Sequence, residues 1–434
     1  MTMLRRFSRL LGQLGAGAAL GVIFSPAVAS AAGFDTPILY SARHQGMGGT
    51  AIASVNDASA GFHNPAGLQG VRGLGFIGDF SLILGKVKAT PDTRSSNLES
   101  HTVTAPFFLL GGAYRVHDWL TLGLAGFPVA SGGAEYHYNL GTVPNIDKTE
   151  IVFFETTPML SLNVPKDRWL PGQLAFGAGY RVSYVTFDRL KGAAANPQYL
   201  DLKLHGFNWT GFRVGAQYQP IEALKLGLVF RNKIVVKTQA DHATVLAQPA
   251  TDGELEFTLP AKLGGGARVD FGRVGVAMDL EYAFQSQNKE APLSGTVPPG
   301  DPTPTDPNPG PQRVSVPNKF DWKNGVTWRT GLEYRLGHLP TIPLRVGYIF
   351  DSTVTNDAYP TAFGTPPAPT HVLTAGAGYV EERWQVNVAV SRRFGSTHVD
   401  EAALGKGCPF CSLAGDYAIT MTGIYVDASV DLPM

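Results

Sequence analysis

The sequence predicts an all-β fold, a 14-stranded antiparallel transmembrane β-barrel with an N-terminal hatch plugging its lumen. Three observations lead there. Long segments alternate between a continuous apolar face and a face of small or charged residues. The connections between them alternate between long and short. The composition is low in charge (16%) and rich in glycine (51) and aromatic residues (10%), where soluble domains carry about 25% charge. Lys+Arg 35 equals Asp+Glu 35, so the chain lacks the basic excess that a nucleic-acid partner rewards.

The first element is a secretion signal. Arg5, Arg6 and Arg9 form a basic start, the apolar run from Leu10 to Phe24 follows, and 27-AVASAA-32 offers small-residue cleavage sites. A membrane anchor is the alternative, but the run is short for a span of about 20 residues. Residues 1–32 are therefore set apart as signal peptide, 33–72 as hatch and 73–434 as barrel. No other apolar run reaches helix-span length, and an exported chain without one still crosses a membrane if its strands close into a barrel.

The strand pattern is plain in 274-VGVAMDLEYAF-284. Val274, Val276, Met278, Leu280, Tyr282 and Phe284 share one face; Gly275, Ala277, Asp279, Glu281 and Ala283 share the other. The same split recurs in 223–233, 322–335, 344–351 and 384–391. Aromatic residues often end the apolar face, where interfacial girdles sit on outer-membrane barrels. Strands are placed near 73–87, 101–116, 119–137, 150–164, 173–189, 201–218, 223–238, 251–270, 274–286, 319–335, 342–355, 371–380, 384–398 and 416–432. Long connections fall at 88–100, 138–149, 190–200, 239–250, 287–318, 356–370 and 399–415, and mostly short ones lie between. A secreted β-sandwich also alternates, but it does not predict alternating loop lengths. The longest connection contains 297-VPPGDPTPTDPNPGPQ-312, whose prolines forbid ladder pairing. It reads as a solvated spacer or a surface partner loop.

Residues 33–72 carry scattered apolar side chains (Ile52, Val55, Phe62, Leu68) among small ones, with Asp57, Ser59 and Asn64 able to form local turns. That composition suits an irregular plug, which a protein-walled lumen tolerates where lipid would not.

Here the chain resembles a known family. The stretch 44-HQGMGGTAIASVNDASAGFHNPAGLQG-70 is similar to the N-terminal signature of the FadL/TodX outer-membrane transporters for long-chain fatty acids and other hydrophobic compounds. Its Gly46–Gly49, Asp57-Ala58-Ser59 and Asn64-Pro65-Ala66 carry the likeness. The resemblance implies a fourteen-stranded barrel with an inward-folded hatch held in shape by Asn64 and Pro65. It also implies an inward kink of the third strand that opens the wall. Phe127-Pro128 with Gly132-Gly133 could supply that kink, an ordinary bulge being the alternative. One feature departs from the family pattern: Pro433-Met434 stand where such barrels usually end in an aromatic residue.

A carboxylate ligand wants a basic partner in the lumen. Alternation points Arg181, Arg213, Arg231, Arg329 and Arg345 inward, either toward such a ligand or into salt bridges with Asp279, Glu281 or Glu333. Cys408 and Cys411 in 407-GCPFCS-412 read as a loop-stapling disulfide, since two ligands are too few for structural zinc. No GxSxG, HExxH or GxxxxGK[ST] motif occurs, so no enzyme, metal, cofactor or ATP-driven step is expected. The expected protein is a monomer in the outer membrane, surrounded by its lipid, passing fatty acids or other hydrophobic compounds down a gradient. A general diffusion porin or an adhesin barrel is the second reading.

Overall fold

The computed structural model describes residues 40–91, 96–100, 102–140, 142–245, 247–299, 310–360, 367–406 and 414–432. The signal peptide, the centre of the proline-rich connection, Cys408, Cys411 and Pro433-Met434 lie outside the described residues.

Among the described residues, one antiparallel sheet runs from Leu74 to Leu432. Its strands are β1 (Leu74–Pro91), β2 (Ser96–Ser100 and Val103–His117), β3 (Leu120–Leu140), β4 (Val143–Val164), β5 (Gln173–Ala193), β6 (Asn196–Ile221) and β7 (Leu224–Arg231 and Ile234–Val245). They continue with β8 (Gln248–Pro249, Thr251–Leu259 and Lys262–Phe271), β9 (Val274–Ala283 and Leu293–Val297) and β10 (Gln312–Val316 and Gly325–Arg335). The last are β11 (Pro343–Asp351), β12 (Thr370–Val380), β13 (Trp384–Val399) and β14 (Gly415–Leu432). Each pairs with its neighbour, and β14 returns to β1 from Leu74↔Leu432 to Pro91↔Gly415. The sheet is therefore a closed 14-strand barrel, and closure removes the unpaired edge that lipid could not satisfy.

The apolar face of the alternation points outward. Phe80, Leu124, Leu228, Leu280, Val346 and Val388 are exposed, while the residues between them are buried. With no water in the bilayer core, exposure of these side chains is what the environment favours. No described helix is long and apolar enough to cross a membrane.

The long connections differ from expectation. Three placed as loops, at 138–149, 190–200 and 239–250, are mostly ladder, with pairing that runs on to Leu140↔Val143, Ala193↔Asn196 and Gln248↔Val245. In 287–318 a further hairpin pairs Leu293–Val297 with Gln312–Val316. Polar side chains end the lipid-facing band, but they do not stop backbone groups from pairing. The long-loop side is thus a set of hairpins standing above the barrel, opposite the tight turns.

Residues 40–72 lie within the lumen. A short helix, α1 (Ala42–Gly46), packs on β11, β12, β13 and β14, while two 3-10 turns (Ala58–Gly61 and Pro65–Gly70) pack on β1 to β6. These strands stand on different sides of the closed sheet, so a segment touching all of them is inside it. Wall glycines make the space. A Cβ on Gly177 would sit 2.1 Å from the Ala66 nitrogen, and one on Gly227 2.4 Å from the Ile52 oxygen. Gly331 and Gly347 leave comparable room for Met47 and Gly48. Gly48 adopts φ 66°, and its Cβ would stand 2.6 Å from the Thr330 oxygen, so only glycine fits that turn.

Gly177→Leu should therefore unseat residues 64–68 while the barrel stays closed. Overpacking costs about 1–3 kcal/mol, to be read as faster amide exchange in 40–72 with unchanged heat-modifiable migration of the barrel. Unchanged exchange would show that Gly177 is not a seat.

Candidate functional site in the barrel lumen

Three structures meet inside the barrel: the hydrogen-bonded N-terminal segment, a layer of paired charges, and an inward step in β3.

Asn64 fastens the segment in two directions. Its Oδ1 accepts from the Ala66 N–H at 3.2 Å and caps the turn begun by Pro65. Its Nδ2 lies 2.8 Å from the Ile52 oxygen, and 3.1 and 3.2 Å from the carbonyls of Ala216 and Leu228 on β6 and β7. One proton serves the segment and the other is shared by the wall. Gly215 leaves the room, since its Cβ would lie 2.0 Å from Asn64 Oδ1. The Ala66 carbonyl accepts from Ser161 at 3.1 Å.

Wall acids secure the rest of the segment. Asp279 accepts the backbone N–H groups of Ala51 and Ile52 at 2.8 and 3.1 Å. Asp427 accepts from the Ser41 hydroxyl at 2.7 Å and the Arg43 N–H at 3.1 Å. Alternation had offered Asp279 as a salt-bridge partner; instead it holds backbone. Asp427 was not anticipated, although its inward phase in 424-IYVDASVDL-432 is legible.

The arginines selected from alternation are all buried and point inward. Arg181 donates from Nε to Glu155 at 2.7 Å and from Nη1 to the Asn232 carbonyl at 3.0 Å. Arg213 lies 3.4 Å from the other oxygen of Glu155 and donates to the Gly61 carbonyl of the segment. Arg345 donates to Glu333 and Asn387, both at 2.8 Å. Arg231 donates to the Pro260 carbonyl at 3.0 Å. Arg329 is less engaged: Nη2 lies 3.5 Å from Glu281, and its buried Nε has no hydrogen-bond partner among the described residues. Glu155 was missed in the sequence, yet a lone acid in the inward phase of 151-IVFFETTPML-160 is its signal.

A cavity of about 50 Å³ lies between segment and wall, lined in part by Arg213, Arg231, Lys262, Asp279, Glu281 and Arg329. Phe62, His63 and Val129 complete one side. A dry cavity that takes benzene measures about 150 Å³, so an aromatic ring enters only if the segment shifts. The polar lining fits a head group or water.

Toward the hairpins the inward residues become apolar. Ile151, Phe153, Val185, Phe187, Leu204, Val236 and Phe257 are buried together. The Phe257 ring centroid lies 5.0 Å from Phe187 and 6.3 Å from Phe153.

The third feature is the step in β3. Its ladder with β2 runs from His117↔Leu120 to Leu110↔Gly126 and resumes only at Ser100↔Tyr136. Between these points no pairing of β3 with β2 occurs among the described residues, while its ladder to β4 continues. Val129 is bulged out of that second ladder, between Pro128↔Phe154 and Ala130↔Phe153. Residues 127–133 are buried on both faces, unlike the alternating run before them. Gly132 and Gly133 keep their β4 partners, Ile151 and Glu150, so the bulge in that ladder is at Pro128-Val129, while the glycines lie within the stretch without a β2 partner. Pro128 has no N–H for a ladder. Its carbonyl accepts from Tyr40 of the segment at 2.6 Å. The rings of Tyr40, Phe62 and Phe127 pack at centroid distances of 5.1 to 5.9 Å. The segment therefore touches the step directly.

Fold and lumen define a class: a closed outer-membrane β-barrel whose interior holds its own N-terminal segment. The comparisons with known proteins place it within that class. A family model described as outer membrane protein transport protein (OMPP1/FadL/TodX) matches residues 22–404, and the chain belongs to this family of outer-membrane transporters of hydrophobic compounds. No curated protein sequence matches significantly. Among solved structures, a FadL homologue of Pseudomonas aeruginosa aligns with TM-score 0.69 at 17% identity, covering 92% of this chain and 100% of its own. The toluene transporter TodX of P. putida gives 0.64 at 16%, covering 91% and 99%. The toluene transporter TbuX of Ralstonia pickettii gives 0.61 at 15%, covering 92% and 99%. These likenesses establish the fold.

Two histidines bear on how firmly the segment is seated. His63 donates from Nε2 to the Tyr40 carbonyl at 2.9 Å, and His44 donates from Nδ1 to the Thr50 carbonyl at 2.9 Å. The rings are 5.1 Å apart. Burial holds His63 down at about 3, and burial together with His63 keeps His44 well below the usual range. Each is neutral when seated and takes up a proton more readily when released. The seated state is thus fully stable above about pH 6.5 and loses about 1.4 kcal/mol per unit and per histidine as pH falls below it. For His63 the loss continues to about pH 3. Amide exchange in 40–72, corrected for intrinsic rate, should rise between pH 7 and pH 5, and less so in His63→Gln. A flat profile would show that the segment does not open to solvent.

Proposed function

We propose that this protein is a passive uptake channel for long-chain fatty acids or comparable hydrophobic compounds, releasing them sideways into the membrane. The observation that carries this reading is the interrupted β2–β3 ladder, placed where the N-terminal segment touches the wall. An apolar solute gains about 0.8 kcal/mol per CH₂ on leaving water. The apolar layer near the hairpins supplies that first environment. A seat this favourable needs a release step. The N-terminal segment serves as hatch: as it shifts, the Tyr40 and Phe62 contacts to Pro128 and Phe127 are lost, and the unpaired wall becomes the exit. Asn64, Pro65 and Ala66 act by holding the hatch in shape.

For an acidic ligand, Arg329 is the best-placed of the candidate cations, because its Nε is unused and it lines the cavity. Arg181, Arg213 and Arg345 are already committed to Glu155 and Glu333. TodX and TbuX are toluene transporters, and a neutral ring would make no use of Arg329. A diffusion porin is the weaker reading, since a filled lumen obstructs hydrophilic flow.

The test is uptake of radiolabelled oleate and toluene by cells expressing the protein or a variant lacking residues 33–72. The channel should transport at least one, and hatch deletion should alter that rate while small-ion conductance rises. Arg329→Gln should weaken oleate binding by about tenfold, a loss of one charge-assisted contact, and leave toluene unaffected. Transport of hydrophilic solutes only would overturn the assignment.

A further inference from the structure

The outer side of the β3 step is covered by two phenylalanines from strands that should not meet. β2 and β4 flank β3, so two strand spacings, about 10 Å, separate them. Yet the rings of Phe108 on β2 and Phe154 on β4 have centroids 6.1 Å apart. Register explains the encounter. Phe154 pairs with Pro128. Counting on from Leu110↔Gly126, the partner that Phe108 would have had is also Pro128. Both rings belong to the same cross-strand row, and the residue between them has withdrawn inward.

Their exposure fits. Phe80 and Leu110, outward neighbours on the same part of the wall, are 52% and 61% exposed, whereas Phe108 and Phe154 are each half-buried. The rings stand at the Pro128 row, where lipid would otherwise reach the recessed strand. Gly126 leaves the space beneath: a Cβ there would come to 3.4 Å from Phe154 Cζ, so a larger side chain would meet the ring.

We infer that Phe108 and Phe154 form an outer shutter over the β3 step, which must part for each solute and sets the cross-section of what leaves. The inference rests on the lateral-release reading above and adds the residues that control it. The rings are held by a ring–ring contact of about 0.5–1.5 kcal/mol and by lipid, with no ladder to break. They can therefore swing apart on side-chain torsions while β2 and β4 stay in register. The hatch side of the step would govern entry, and this pair departure.

The experiment uses the full chain with Cys408→Ser and Cys411→Ser, adding F108C/F154C, in cells and in phospholipid vesicles. A short bis-thiosulfonate reagent joins the pair, and dithiothreitol releases it. Joining should cut oleate or toluene uptake roughly tenfold, as for a gated step held shut, with recovery on reduction and no change in heat-modifiable migration. A control pair on β12 and β14, Leu373→Cys with Ile424→Cys, should show no effect when treated likewise. F108A/F154A should favour bulkier hydrophobic solutes over toluene relative to the unmodified chain. Uptake at the unmodified rate through the joined pair would overturn the shutter while leaving transport standing. Absence of hydrophobic uptake by the unmodified chain would overturn the transport reading, and the shutter with it.

Discussion

Irregular backbone sits at membrane depth here only because the barrel wall hydrogen-bonds it. A segment such as 40–72 has few internal ladder partners, and each buried, unpaired polar group costs on the order of 1–3 kcal/mol. Asp279 meets two of its amides, Asp427 an amide and a hydroxyl, and Asn64 turns the same chemistry outward into the carbonyls of β6 and β7. The glycines of the inner wall follow from this constraint. Backbone can reach backbone and carboxylate only where no Cβ intervenes, as at Gly177, Gly215 and Gly227.

The lumen is built in layers that divide the work. Charges paired around Glu155, Glu281 and Glu333 exclude a long apolar molecule from the middle of the barrel. The apolar layer above favours it. The step in β3 borders both through Phe127 and Val129, which touch the segment on one side and the cavity on the other. Under the proposed lateral release, a solute drawn in by the apolar layer and refused by the charged one would be directed to the wall, with no energy source beyond the gradient.

Most of the barrel was legible because a lipid-facing strand has a strict period of two: Val274 to Phe284 declare their faces without any tertiary knowledge. The ladder extensions were not legible, since the polar stretches at 138–149 and 190–200 look alike whether paired or looped. The inward arginines were found by phase, but their commitments were not, because Glu155 and Arg181 come together only through the β4–β5 register. Pro128 announced an irregularity in β3. Only the structure shows that its consequence is the loss of the other neighbour, β2, and the meeting of two rings over the vacancy.

The bond from Ser41 to Asp427 joins one of the first residues described to the strand that closes the barrel. Synthesis and export deliver these groups at opposite ends of the process. Until β14 zips onto β1, the carboxylate that receives Ser41 and Arg43 has no fixed position, nor has the Asn387 beside it. The seat of Ser41 and Arg43 is therefore complete only once the last strand has paired with the first, so closing the wall and anchoring the start of the lumen segment are one event.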